Sequence, residues 1–89
     1  MNSPTPSHDR REQIADLLAR VGHISKGQIE DATRLTADAG LDSVDLIELT
    51  NALETTFAIE LTEADTADIT TVHDVVTMVA TAMERSRAR

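Results

Sequence analysis

Few residues in this chain have the type and spacing to do chemistry. There is no cysteine, so a thiolate nucleophile, a disulfide and a thiolate metal site are all excluded. The histidines, His8, His23 and His73, lie far apart and none has a second ligand at metal spacing; surface or capping roles are expected. The acids do not follow a calcium-loop pattern, and no glycine-rich turn sits in the strand–helix context that cradles a nucleotide. Acid–base work by paired carboxylates needs a desolvated pocket, which a short helical chain with one aromatic residue rarely builds, so a catalyst in its own right is not expected. What remains is Ala39-Gly40-Leu41-Asp42-Ser43-Val44-Asp45-Leu46. Here a glycine turn delivers an acid and a serine to the start of an apolar-periodic segment. Aspartate and serine are favoured helix caps, and taken alone the pair reads as a cap.

The elements that must position this stretch are helical. Ile14, Leu17, Leu18 and Val21 fall at i, i+3, i+4 and i+7, which predicts a first helix from about Asp9 to a stop at Gly22. A second is expected from Ser43 to Phe57, with Leu46, Leu49, Leu53 and Phe57 as its core face and Asp42 as its cap. Thr62 and Asp65 have capping-box spacing and open a short helix. Thr71 and Asp74 repeat the pattern and open the last, whose apolar stripe reads Val72, Val75, Val76, Val79 and Met83. Residues 22–41 have weak periodicity and three glycines, and read as a long connection pinned by Ile24, Ile29 and Leu35; such loops are often functional. No strand alternation persists. The expected fold is all-α: a small bundle of three main amphipathic helices plus one short helix, with the long loop between the first and second. The expected organisation is a disordered leader over 1–7, one domain over 8–85 and a frayed basic tail over 86–89.

Charge narrows the function further. The chain of 89 residues has 16 acidic and 8 basic residues, a net charge of −8. From Leu35 to Glu84 there is no lysine or arginine. This excludes nucleic acid, which needs clustered Lys and Arg, and disfavours an anionic membrane surface. It favours partners with basic protein surfaces, although an acidic balance also serves solubility alone. No apolar run reaches the roughly 20 residues that cross a bilayer. The N-terminal residues have no basic start and no apolar stretch, unlike a secretory signal. With the lack of cysteine, these features set the expectation of a cytoplasmic protein.

The run from Gly40 through Ser43 to Leu49 resembles the acyl carrier protein family, whose attachment site is an Asp-Ser-Leu-like motif after a glycine. Asn51-Ala52-Leu53-Glu54 and Phe57 continue the likeness through the second helix. Glu60-Leu61 is similar to the family's Glu-Ile, and Asp68-Ile69-Thr70-Thr71-Val72 to its Ile-Thr-Thr-Val stretch. The likeness covers roughly residues 9–84. Val44 stands where leucine is usual, Asn51 replaces an apolar residue, and Thr62 replaces a common proline. These departures leave the branch of the family and its partners open.

The resemblance implies that Ser43 receives 4'-phosphopantetheine from coenzyme A by way of a phosphopantetheinyl transferase, with Asp42 as the adjacent motif acid. It implies a carrier, not an enzyme: a monomer that presents thioester-bound acyl groups to acyltransferases, ketosynthases or related enzymes of fatty acid or polyketide synthesis with basic docking surfaces. The docking residues would be the acids Asp45, Glu48 and Glu54 with the apolar Val44 and Ile47. Leu53, Leu61, Ile69 and Val72 would line a path for the acyl chain into the core. An aminoacyl, peptidyl or aryl carrier would use Ser43 identically. An acidic helical adaptor that carries nothing stands as the alternative from another class.

Overall fold

The computed structural model describes residues 6–22 and 24–87, with the side chains of residues 6–9 left aside. His23 and the side chain of His8 therefore lie outside the described residues, while His73 is exposed at the start of the last helix. Four α-helices follow in order: α1 (Pro6–Val21), α2 (Ser43–Phe57), α3 (Glu63–Thr66) and α4 (Val72–Arg87), with a single 3₁₀ turn at Lys26–Gln28 in the long connection. Among the described residues there is no strand, only one isolated antiparallel bridge between Arg34 and Thr71.

Helix α1 packs on α2 and α4, and α2 packs on α4. The core between them is aliphatic. Ile14, Leu18, Leu35, Leu41, Leu49, Leu53, Val72, Val75 and Val79 are its largest fully buried side chains. The one aromatic residue, Phe57, sits half-buried at the margin. Each buried aliphatic side chain contributes about 1.5–3 kcal/mol before the entropy of ordering is counted.

Helix α1 begins at Pro6, not near Asp9. Proline suits a first helical position, where its missing N–H would be unpaired in any case. Of the leader expected over 1–7, Pro6 and Ser7 are thus helical, and the rest lies outside the described residues. The tail expected to fray is helical through Arg87. Arg85 holds this last turn: its guanidinium meets Asp65 at 2.8 Å and 3.1 Å and donates to the Glu60 carbonyl at 3.1 Å. The stripe of α4 is also turned from its expected position. Val72, Val75, Met78, Val79 and Ala82 are buried, while Val76 and Met83 are half-buried. Apolar residues on α4 span a wider arc than the core can cover, and α1 and α2 choose the side that closes.

Capping explains the helix boundaries. Thr62 Oγ1 accepts from the Asp65 N–H at 3.1 Å, and the Thr62 N–H donates to Asp65 Oδ2 at 2.8 Å. A proline at this position could supply neither group. Helix α2 ends at Ala58, a non-glycine residue at φ 53°, ψ 49°. Glu54 secures that end: its carbonyl accepts from the N–H groups of Ala58 and Ile59, and its Oε2 accepts from the Leu61 N–H at 2.9 Å.

Two stability predictions follow from these contacts. Ala58→Gly should raise stability by about 0.5–1 kcal/mol, because it relieves a left-handed alanine; thermal melting should shift up by a few degrees. The Arg85 guanidinium, followed by the Thr62 N–H, holds the Asp65 carboxyl at about 2, below its ordinary 3.8. A lowered carboxylate stabilises above its unfolded value and loses that contribution as pH falls through about 2. Arg85→Ala should therefore lower stability modestly near neutral pH, as expected of a surface pair. In urea denaturation the difference from wild type should shrink as pH falls from about 4 toward 2.

Candidate functional site

Ser43 is the first residue of α2 and is exposed. Its placement begins with Gly40, whose φ of +73° is left-handed backbone that an L side chain rarely adopts. The turn swings Leu41 into the core, where it is 1% exposed, and sends the next two residues outward. Asp42 then caps the helix: its Oδ1 accepts from the Asp45 N–H at 2.9 Å, and its own N–H donates to Asp45 Oδ2 at 3.2 Å. Its carbonyl accepts from the Leu46 N–H at 2.9 Å.

This reciprocal box leaves the two amides beside the hydroxyl free. Among the described residues, neither the Ser43 N–H nor the Val44 N–H has an acceptor. They lie at the positive end of the helix dipole. Nothing comes within 4 Å of the space a Cβ on Gly40 would take. An anionic group joined to the exposed Ser43 Oγ thus finds two unpaired donors and a favourable dipole at the same helix start. The residues present fit a phosphate-bearing arm.

The segment before Ser43 is held from two sides. The end of α1 approaches so closely that a Cβ on Gly22 would lie 3.1 Å from the Leu18 carbonyl oxygen and 3.2 Å from that of Ala39. On the other side, the Leu35 N–H donates to the Thr70 carbonyl at 2.8 Å, and the Leu41 N–H donates to the Leu35 carbonyl at 3.0 Å. Apolar spacing alone does not reveal this seam. The mixed sequences of 31–35 and 70–73 carry no periodic signal.

The other residues named from sequence fall into separate groups. Val44 and Ile47 are the exposed large hydrophobic residues, at 64% and 61%. With the exposed Asn51 they follow one line along α2, clear of the buried Leu49 and Leu53. Glu48 is exposed beside them and has no ion pair among the described residues, and Asp45 is half-buried in the capping box. Glu54 is half-buried and spends its carboxylate on Leu61. Leu53 and Val72 are in the core, while Leu61 and Ile69 are half-buried against it. The structure does not gather these four around Ser43 in one cavity. Ile69 borders a surface groove of about 290 Å³ with Met78, and a second groove of about 320 Å³ lies at the far end of α4 beside Arg85. No His, Asp and Glu cluster among the described residues has metal-binding geometry. No described helix is long and apolar enough to cross a membrane.

The bundle presents an exposed serine at the start of α2. A family model described as the phosphopantetheine attachment site matches residues 12–79. The acyl carrier protein of Chloroherpeton thalassium is 31% identical over 67 residues, which span 75% of this chain and 84% of that protein. That of Aster yellows witches'-broom phytoplasma is 38% identical over 65 residues, or 73% and 86%. The structure of an acyl carrier protein from Enterococcus faecalis matches with a TM-score of 0.73 at 22% identity, covering 85% of this chain and 96% of that one; at that identity the likeness concerns the fold. This chain belongs to the acyl carrier protein family. It has that family's phosphopantetheine attachment domain and is a carrier, not an enzyme.

The cap generates a prediction that separates hydrogen bonding from charge. Asp42→Ala should cost about 1 kcal/mol in urea denaturation, and Asp42→Ser should recover most of it, since a hydroxyl also accepts from the third amide of the helix.

Proposed function

We propose that Ser43 Oγ is the attachment point of the phosphopantetheine arm, and that the loaded chain presents acyl groups to enzymes of fatty acid or polyketide synthesis in the cytoplasm. The observation that supports this most is the exposed hydroxyl at the first position of α2, beside the free amides of Ser43 and Val44. A phosphopantetheinyl transferase draws the arm from coenzyme A: the hydroxyl gives its proton to a base of the transferase, its oxygen bonds to the phosphorus that bears the pantetheine, the pyrophosphate link breaks, and adenosine 3',5'-bisphosphate leaves. The arm, when bound, supplies a thiol that the cysteine-free chain lacks, and acyl groups ride on it as thioesters.

The chain's own residues orient and advertise that arm. Asp42 keeps Ser43 at the helix start through its bond to the Asp45 amide. The two amides and the helix dipole stabilise the phosphodiester anion by about 0.3–1 kcal/mol. Glu48, with Asp45, steers basic docking surfaces such as those of acyltransferases and ketosynthases, and the exposed Val44 and Ile47 give the encounter an apolar contact. Glu54 supports this face from behind, through the loop it closes at Leu61. Acyl cargo entering the bundle would have to part Leu61 and Ile69 from the aliphatic core before meeting Leu53 and Val72.

Incubation with coenzyme A, magnesium and a broad-specificity transferase, followed by intact mass measurement, tests the attachment. Wild type should gain one phosphopantetheine, and Ser43→Ala should gain none. A gain that survives Ser43→Ala would overturn the assignment.

A further inference from the structure

The start of α4 differs from the start of α2. A helix leaves its first four N–H groups without intrahelical partners, and in α4 all four are taken by the chain. Val72 donates to the Thr33 carbonyl at 3.0 Å, and His73 donates to the Asp31 carbonyl at 3.0 Å. Asp74 donates to Thr71 Oγ1 at 3.3 Å, and the cap residue Thr71 donates to Asp74 Oδ2 at 3.1 Å. The first two acceptors belong to the long connection that ends at Ser43. Helix α4 is therefore a socket into which residues 31–35 are plugged.

The Asp74 carboxylate holds that socket in shape. Its Oδ2 accepts from the Thr70 N–H at 2.9 Å and from the Thr71 N–H at 3.1 Å. The peptide joining Thr70 to Thr71, whose N–H is the second of these donors, turns its carbonyl to the Leu35 N–H, and the Leu35 carbonyl accepts from Leu41. Leu41 directly precedes the Asp42 cap. A short series of hydrogen bonds thus runs from Asp74 through Thr70 and Leu35 to Leu41, two residues from Ser43. The connection is tied elsewhere as well: Lys26 pairs with Glu12 at 2.8 Å and Asp16 at 2.9 Å, Arg11 pairs with Asp31, and Asp38 closes a local turn on the Arg34 N–H at 2.8 Å; among these contacts the Thr70 carbonyl is the one that meets Leu35.

We propose that Asp74 is a positioning residue for Ser43, setting the course of the attachment segment through the Thr70–Leu35–Leu41 hydrogen bonds although it lies on a different helix. The inference rests on Ser43 being the attachment residue. Loss of the carboxylate frees Thr70 and Thr71, slackens the socket and lets the segment before α2 sample other paths. The buried face of α4 at Val72, Val75 and Val79 stays in place.

The test uses Asp74→Ala, Asp74→Asn and Thr71→Val in the full chain. Thr71→Val removes the hydroxyl half of the cap and leaves the Asp74 bonds to the Thr70 and Thr71 amides. In the unmodified protein, Asp74→Ala should speed amide hydrogen exchange at Leu35 and Leu41 by about tenfold, with Leu53 and Val79 unchanged. Its kcat/KM for transferase modification of Ser43 should fall about three- to tenfold, since small displacements of a reacting group are costly. Asp74→Asn should restore most of both, because its carboxamide oxygen accepts from the same amides, and Thr71→Val should change neither. The proposal is overturned if folded Asp74→Ala keeps wild-type exchange at Leu41, or modifies at the wild-type rate. It is equally overturned if Thr71→Val loses as much as Asp74→Ala, which would reduce Asp74 to an ordinary cap. Should Asp74→Ala not fold by itself, it is made in the Ala58→Gly background, whose added stability lies away from the attachment segment, and the same two readouts decide: faster exchange at Leu35 and Leu41 with slower Ser43 modification supports the role, and behaviour equal to Ala58→Gly alone overturns it. If wild type gains no mass at Ser43, the attachment reading falls, while the exchange measurement still judges the hydrogen-bond series.

Discussion

The first two amides of α4 have to find acceptors outside their own helix, and the long connection supplies them. That pairing is the constraint on which the rest of the structure leans. The connection has no periodic apolar face of its own and only one short 3₁₀ turn. Fixing its residues costs about 1–2 kcal/mol each in backbone entropy, and isolated apolar anchors recover part of that. The backbone bonds from Val72 to Thr33, from His73 to Asp31 and from Leu35 to Thr70 give the connection one path. Leu35 and Leu41 are buried as a consequence, and the chain leaves the core at the point where α2 must start.

The two helix starts serve opposite ends. At α4 every orphan amide is used internally, which makes that end a structural joint. At α2 the Asp42–Asp45 box satisfies the third amide, the Asp42 carbonyl takes the fourth, and the first two stay open to a ligand. Both ends use an acid three residues into the pattern, and α3 does the same through Thr62 and Asp65. From α2 onward, acids serve two different ends. Asp42, Asp45, Asp65, Asp74 and Glu54 hold backbone amides. Glu48 remains exposed on α2 and adds to the field that a basic surface would meet.

Much of the fold could be read in advance. The spacing of Leu49 and Leu53, the Asp42 cap and the paired Thr-x-x-Asp patterns placed α2, α3 and the start of α4 where they are found. These features are local, and their signals lie within a few residues of the structure they cause. The arc of α4 was less legible, because Met78 and Ala82 take core positions where Val76 and Met83 were as apolar. Only the shape of the facing helices chooses between them. The task of Glu54 was also hidden. An acid on an acidic helix reads as a docking charge, whereas its reach to the Leu61 amide depends on how the chain turns after Ala58.

By itself, the order of residues determined the helices, their caps and the motif that delivers Ser43 to a helix start, because hydrophobic spacing, capping and glycine conformation act over one or two turns. It also determined the family, through matching residues along most of the chain. The tertiary structure alone decided that α4 grips the connection before Ser43, that Gly22 presses it from α1, and that Leu41 turns into the core. Those outcomes depend on backbone groups from distant segments meeting, and peptide N–H and C=O groups are the same at every non-proline position. No residue type announces which amide will find which carbonyl; the packed helices bring them together.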